Sequence, residues 1–333
     1  MPQADELVRR ADRWVFGAED ARRLASVRIG LCGLLALRLA ATDYRVVAAQ
    51  PAALFQPVSY MKLLGRMPSS GIAGSLQVVG VVAALIAASG LAVRSSLSTA
   101  LVCSLILNGM LNSTGRVIVG DAVPTLCLLV LLACGAAAGD AWTIRPALRR
   151  MRARFSGKSP SDPRGAVPVA AVGPRYGWPV RTAMVTIALT IFFAGFQKLR
   201  YSGLDWMTGD NLRWILYASS DRSPHADALA LFIARRAWLA HLCAAATLLI
   251  ETGFPLVLFK ARLRWLFVPG VVAMHEAIRL AIGLDYSAQG LTVIIVFVNW
   301  PVVVAWLRSH LHRHPPGPGA AYETAGAGRR DAR

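Results

Sequence analysis

The 333-residue chain is 55% hydrophobic with a mean hydropathy of +0.48, and 36 Lys and Arg against 18 Asp and Glu give a net charge of +18. Long apolar runs exclude a soluble globular domain. The basic residues lie mostly in short segments between those runs, without a basic-aromatic motif; this excludes nucleic-acid binding and points to topology determinants and anionic headgroups.

Residues 1–24 form a charged, amphipathic tail (Val8, Trp14, Val15, Phe16) and show no small-residue cleavage motif, so a cleaved leader is not expected. Eight apolar runs follow, near 25–43, 71–93, 96–113, 117–139, 180–199, 237–259, 264–283 and 286–307. Each approaches the roughly 20 residues that cross a hydrocarbon core of about 30 Å. Barrel-type alternation is absent, so helices satisfy the backbone, and the fold class is an all-α polytopic transmembrane bundle over 25–307 with about eight spans. Residues 44–70, with Tyr44, Phe55 and Tyr60, read as an interfacial loop. Residues 200–236 read likewise, with Trp206, Trp214 and Tyr217 suited to the headgroup level. Residues 140–179 are a basic linker rich in Pro, Gly and Ser, and 308–333 a basic, low-complexity tail expected to be disordered.

Charge sets the orientation. The N-tail, Arg94, residues 140–181, residues 260–264 and the C-tail hold 23 of the Lys and Arg, and the opposite loops hold 9. Both termini are therefore expected in the cytoplasm, and the chain is expected in the cell membrane, in contact with its lipids. The five cysteines (Cys32, Cys103, Cys127, Cys134, Cys243) fall inside predicted spans with no CxxC pair, so neither a disulfide framework nor a zinc site is read. His310, His312 and His314 read as a polar cap on the last helix.

Ionisable residues within the spans carry the functional argument. A lysine facing lipid at helix-centre depth costs roughly 2.5–3.5 kcal/mol on insertion scales, and Lys198 lies at the end of the fifth run in FFAGFQKLRYSGLDW. With the orientation above, Arg38, Asn108, Asn112, Asp121, Lys198, His241, His275, Glu276 and Arg279 occupy the middle to outer levels of their spans. Arg28, Glu251 and Asn299 lie deeper or further in. Polar groups from six helices at similar depth suggest one outward-facing cavity, with Asn108/Asn112 and His275/Arg279 spaced i,i+4. Snorkelling to the headgroups is the plain alternative for Lys198 and Arg279. Asp121, His241 and His275 are too short to snorkel far.

Several segments resemble one family. AGFQKLRYSGLDW at 194–206, HLCAAATLLIETGFPLVLF at 241–259, MHEAIRLAIGLDY at 274–286 and WTIRP at 142–146 are similar in order and spacing to the HTTM (horizontally transferred transmembrane) domain. That domain is the membrane portion of vitamin K-dependent gamma-glutamyl carboxylase and of many bacterial proteins. The resemblance spans most of 10–305, and Arg28 and Arg38 also suit its bacterial members. It implies that Lys198 matches the second lysine of the family's AGxKKL segment, the base that acts on a reduced quinone. His241 and His275 match its two helix histidines, and Glu251 falls where an acidic residue is common. Such a lysine needs an apolar site or a neighbouring cation such as Arg38 or Arg279 to accept a proton near neutral pH.

The chain departs from the pattern. Gln197 replaces the first lysine, and no histidine stands near Asp121. With a short tail after the last predicted span, the large extracytoplasmic domain is expected to be missing, so carboxylation of protein glutamate is not expected. Two readings stay open. One is an enzyme acting on a quinone-like or other lipophilic molecule, with Lys198, His241, His275 and Asp121 catalytic and Arg38, Asn108, Asn112, Arg279 and Glu251 binding. The other is a non-catalytic scaffold or maturation factor for a secreted peptide or partner protein, since some bacterial members resemble the membrane component that matures a secreted sporulation-delaying toxin. A transporter would show matched discontinuous helices, which the halves lack.

Overall fold

The computed structural model describes residues 2–115, 120–148, 151, 171–219 and 224–311. The predicted linker and C-tail therefore lie mostly outside the described residues, as do His312 and His314. Among the described residues the structure is helical, apart from two short strands, β1 (Glu19–Asp20) and β2 (Val172–Gly173). These pair antiparallel, with Glu19 opposite Gly173, and join the N-terminal segment to the start of the second half of the chain.

Helix α1 (Pro2–Val15) carries the amphipathic tail. Asp20 then caps α2 (Ala21–Ala41), its carboxylate accepting the Arg22 backbone N–H at 2.8 Å. After the short α3 (Tyr44–Ala48) come α4 (Ser70–Ala88), α5 (Val93–Asn112) and α6 (Ala122–Cys134). The second half begins with α7 (Pro174–Ser202) and the short α8 (Asp205–Thr208), α9 (Asn211–Ser219) and α10 (Pro224–Ala234). It continues through α11 (Ala237–Gly253), α12 (Leu256–Phe259), α13 (Arg264–Ile282) and α14 (Ser287–Phe297). From Asn299 the described chain belongs to a separate unit, which contains α15 (Trp300–Leu311).

Five segments are long and apolar enough to cross a membrane alone: α2, α4, α5, α7 and Ala261–Ile282. Counting each of two bent helix pairs as one span raises the total to seven. One pair is Ala228–Ala234 with Ala237–Gly253, bent by 101° at Arg235–Arg236. The expected fourth span, 117–139, contains the 13-residue α6, ended by Gly135 at φ +64°. At 1.5 Å per residue α6 covers about 20 Å, short of the core thickness. An integral, multi-pass membrane protein is the architecture that these helices fit.

Helix α2 sits at the centre, packed on α4, α6, α7 and α14. Leu24, Leu31, Cys32 and Leu39 are buried along its length. Small residues on α4 (Gly74, Gly80, Ala83, Ala84, Ala87) are buried too, the packing that lets helices approach where lipid removes the hydrophobic drive. Arg28, in the middle of this core, is completely buried. Its Nε donates to the Ala88 carbonyl (3.2 Å) and its Nη2 to Trp142 (2.8 Å), while Nη1 donates to Ala141 (3.2 Å) and Ala138. Ala88 ends α4 and Ala138 lies in the 3-10 turn Gly135–Gly139, so one guanidinium satisfies carbonyls that helix ends leave open.

The two segments expected to be interfacial loops are more ordered than that. Within 44–70, Tyr44 and Met61 are buried, and the Tyr60 hydroxyl donates to the Leu105 carbonyl at 2.7 Å on α5. Residues 205–219 and 224–234 hold α8, α9 and α10, which pack on α11 and, for α9 and α10, on α13. These short helices cover the part of α11 that runs past the end of α7.

Candidate functional site

Lys198 lies one turn before the end of α7, and its Nζ meets both carboxylate oxygens of Glu251 on α11, at 2.5 and 2.6 Å. The Glu251 side chain is 6% exposed and that of Lys198 23%. Gly195, a turn earlier, makes the approach available: a Cβ there would stand 2.7 Å from the Glu251 Cβ and 3.0 Å from Thr252. The Trp206 ring of α8 closes the other side, its centroid 5.5 Å from Nζ. Lys198 therefore points to a carboxylate and an indole face. Glu251, expected deeper than Lys198, stands at the same level.

A second cluster forms where α2 ends. Arg38 makes a two-point contact with Asp121 (3.1 and 3.3 Å) and reaches Asp285 at 2.8 Å. Asp285 lies in the turn between α13 and α14. Gly120 permits that turn to approach, since a Cβ there would meet the Asp285 carbonyl at 2.6 Å. Alongside, the Tyr44 hydroxyl donates to Asn108 Oδ1 (3.3 Å), and Asn108 Nδ2 donates to the Ser104 hydroxyl (3.2 Å). Arg38, Tyr44, Ser104, Asn108, Asp121 and Thr125 line a cavity of about 20 Å³, room for a single water. Burial alone would raise the pKa of Asp285, but the Ser287 backbone N–H and the Arg38 guanidinium outweigh it and hold the carboxyl below its ordinary value.

The remaining predicted residues fall elsewhere. His241 Nε2 lies 4.0 Å from Asp210, beyond hydrogen-bond reach, and is buried without a partner. His275 is buried in a stack on Tyr286, ring centroids 5.5 Å apart, and its Nδ1 is also without a partner. Arg279 pairs with Glu276 at 2.6 Å, and Glu276 in turn accepts the Ser287 hydroxyl. Asn112 is the last residue of α5. The single polar layer expected from depth thus resolves into separate clusters. Arg38 and Arg279, expected as cations beside Lys198, are each engaged by carboxylates of their own, and the charged neighbour of Lys198 is an anion.

Next to the Lys198–Glu251 pair is an apolar cavity of about 310 Å³. Its lining includes Leu216, Leu229, Ile233, Thr247, Ile250 and Met274, from α9, α10, α11 and α13. Ile250 precedes Glu251, and Thr247 lies one turn before it. The lining leaves out Lys198 and Glu251 themselves. Asp285, Asp210 and Trp206 acquire contacts that span depth did not announce. The signal for Asp285 was Gly283, a helix stop that sets the carboxylate in a turn. The chain matches no family model, no curated protein and no solved structure.

Proposed function

We propose that this chain is a multi-pass membrane protein of the HTTM type, with both termini cytoplasmic, that acts on a quinone-like or other lipophilic molecule through the Lys198–Glu251 pair. The observation that carries the reading is a lysine paired with a buried carboxylate whose helix, one turn away, lines an apolar cavity of about 310 Å³. That volume and its aliphatic lining suit a ring with part of a hydrocarbon tail. Transfer of one proton from the ammonium to the carboxylate leaves a neutral amine, the base this chemistry requires. A reduced quinone would supply the acidic hydroxyl, and the chain's own part is to hold the tail and take the proton.

The test is mass spectrometry of lipids extracted from the purified protein. A co-purifying quinone or hydroxylated lipophile is the expected result, with Ala246→Phe, at a residue that also lines the cavity, lowering its amount at least about five-fold by filling the space. Lys198→Met should retain the molecule while losing its conversion. A scaffold or maturation factor is the second reading, favoured by one observation: the pair is closed on itself and does not line the cavity. An extract free of such molecules, unchanged by Ala246→Phe, sinks the enzyme reading in favour of the scaffold.

A further inference from the structure

Away from the Lys198 pair, at the opposite end of α7, arginines of two helices approach one carboxylate and a third lies within range of its charge. Arg23 of α2 has its Nε 3.9 Å from Glu19 Oε2, and Arg181 of α7 has its Nη2 3.7 Å from the same oxygen. Neither distance is a hydrogen bond. Arg264, at the start of α13, is close enough for its charge to act on both Arg23 and Glu19. Part of each neighbour's donor set is used locally. Arg181 Nη1 donates to the Gly17 carbonyl at 2.7 Å, and Arg264 Nε donates to Val257 at 3.2 Å. Arg22 is engaged by Asp20.

Arg23 is the anomaly in this group. It is 6% exposed, and its Nε is buried with no hydrogen-bond partner. An unpartnered buried donor costs about 1–3 kcal/mol, more on a charged group, so the position asks for an acceptor. Three guanidinium groups against one carboxylate leave two positive charges over. An acceptor that also brings negative charge answers both deficits.

We propose that Arg23, Arg181 and Arg264 hold a phosphate group at the N-terminal end of α2. Planar guanidinium forks match phosphate oxygens, and basic pockets between helices are a recurrent way of holding lipid phosphates. Trp265, beside Arg264, is 88% exposed, and Phe259, five residues earlier, is 81% exposed. Large apolar groups left open beside a basic pocket suit a headgroup layer. The same pocket chemistry accepts a free phosphate from water. The site does not depend on the Lys198 reading, because it lies on other residues and at the other end of the helices.

The experiment is native mass spectrometry of the full chain released from nanodiscs of phosphatidylglycerol or of phosphatidylcholine, and separately with inorganic phosphate. Wild type is expected to keep phosphatidylglycerol in preference to phosphatidylcholine. Arg23→Gln and Arg264→Gln should each lower that retention about five-fold, the size expected of one lost cation–phosphate contact, while Arg262→Gln, in the exposed 3-10 turn Ala261–Leu263, should leave it nearly unchanged. If Arg23→Gln fails to fold, the partly exposed Arg264 carries the comparison. Loss of an inorganic-phosphate adduct in the same variants, with both lipids kept equally, supports the site and assigns the phosphate to water. Phosphatidylglycerol and phosphate retained by the variants as by wild type would overturn it.

Discussion

Arg28 and Lys198 are both cations set among apolar side chains, and the molecule holds them by different means. Arg28 is surrounded by four backbone carbonyls. Lys198 is held by one carboxylate and covered by an indole ring. The first arrangement lets one charge close helix ends that have no other donor. The second adds a buried anion, whose solvation cost is recovered only while both partners are present. A carbonyl cage is thus a fold device with no neutral counterpart, whereas an ion pair can be removed whole.

The largest expected effect comes from breaking the cage. Arg28→Ala leaves four carbonyls without their donor and opens a cavity, a loss of about 3–5 kcal/mol. Arg28→Met restores much of the volume and none of the donors, so its melting temperature in detergent should stay close to that of Arg28→Ala. A Met variant that melts like wild type would show that volume, and not the carbonyl contacts, explains the arginine.

The pair should behave differently. Lys198→Met strands Glu251 in an apolar setting and is expected to cost about 3–5 kcal/mol. Adding Glu251→Leu removes the stranded charge and should recover most of that loss, a coupling that a double-mutant cycle in thermal unfolding reads directly. No second substitution offers the same recovery to Arg28→Ala. The double variant also sharpens the functional reading, since it should fold and still fail to convert a bound lipophile. Lack of recovery would mean that the two residues are not energetically one unit.

Much of the helical frame was legible in the apolar runs, and the pairing of its charges was not. The runs near 25–43, 71–93 and 96–113 correspond to α2, α4 and α5, because length and hydropathy are local quantities. The run 117–139 misled for a reason that is also local: Gly135 ends α6 in a conformation that continuous apolarity hides. Residues 205–234 looked like a loop because α8, α9 and α10 are too short to hold alone and depend on packing against α11 and α13. For the site, the outer level of Arg38, Asn108 and Asp121 was readable, and they line one small cavity. Partners were not, because Lys198 finds Glu251 across 53 residues and Arg38 finds Asp285 across 247. Depth along a span says nothing about which way a side chain turns around its helix.

The smallest effect expected concerns the Arg38 clamp, which stands between the two cases: a cation held by two carboxylates, one of them half exposed. Asp285 has its pKa below the ordinary value of 3.8, chiefly because the Ser287 backbone N–H and Arg38 outweigh its burial. A carboxylate depressed in the folded state contributes stability above its unfolded pKa and loses it as pH falls through the folded one. The Asp285 contribution should therefore be intact from neutral pH down to about 4 and fade below that. Asp285→Asn removes it at every pH, so wild type and variant should differ in melting temperature at pH 7 and converge toward pH 3. Exposure of Asp285 keeps the difference small, and high salt should narrow it further. A difference that persists undiminished at pH 3 would place the stabilisation in the turn's hydrogen bonds, which Asn can partly keep, and remove Arg38 from the explanation.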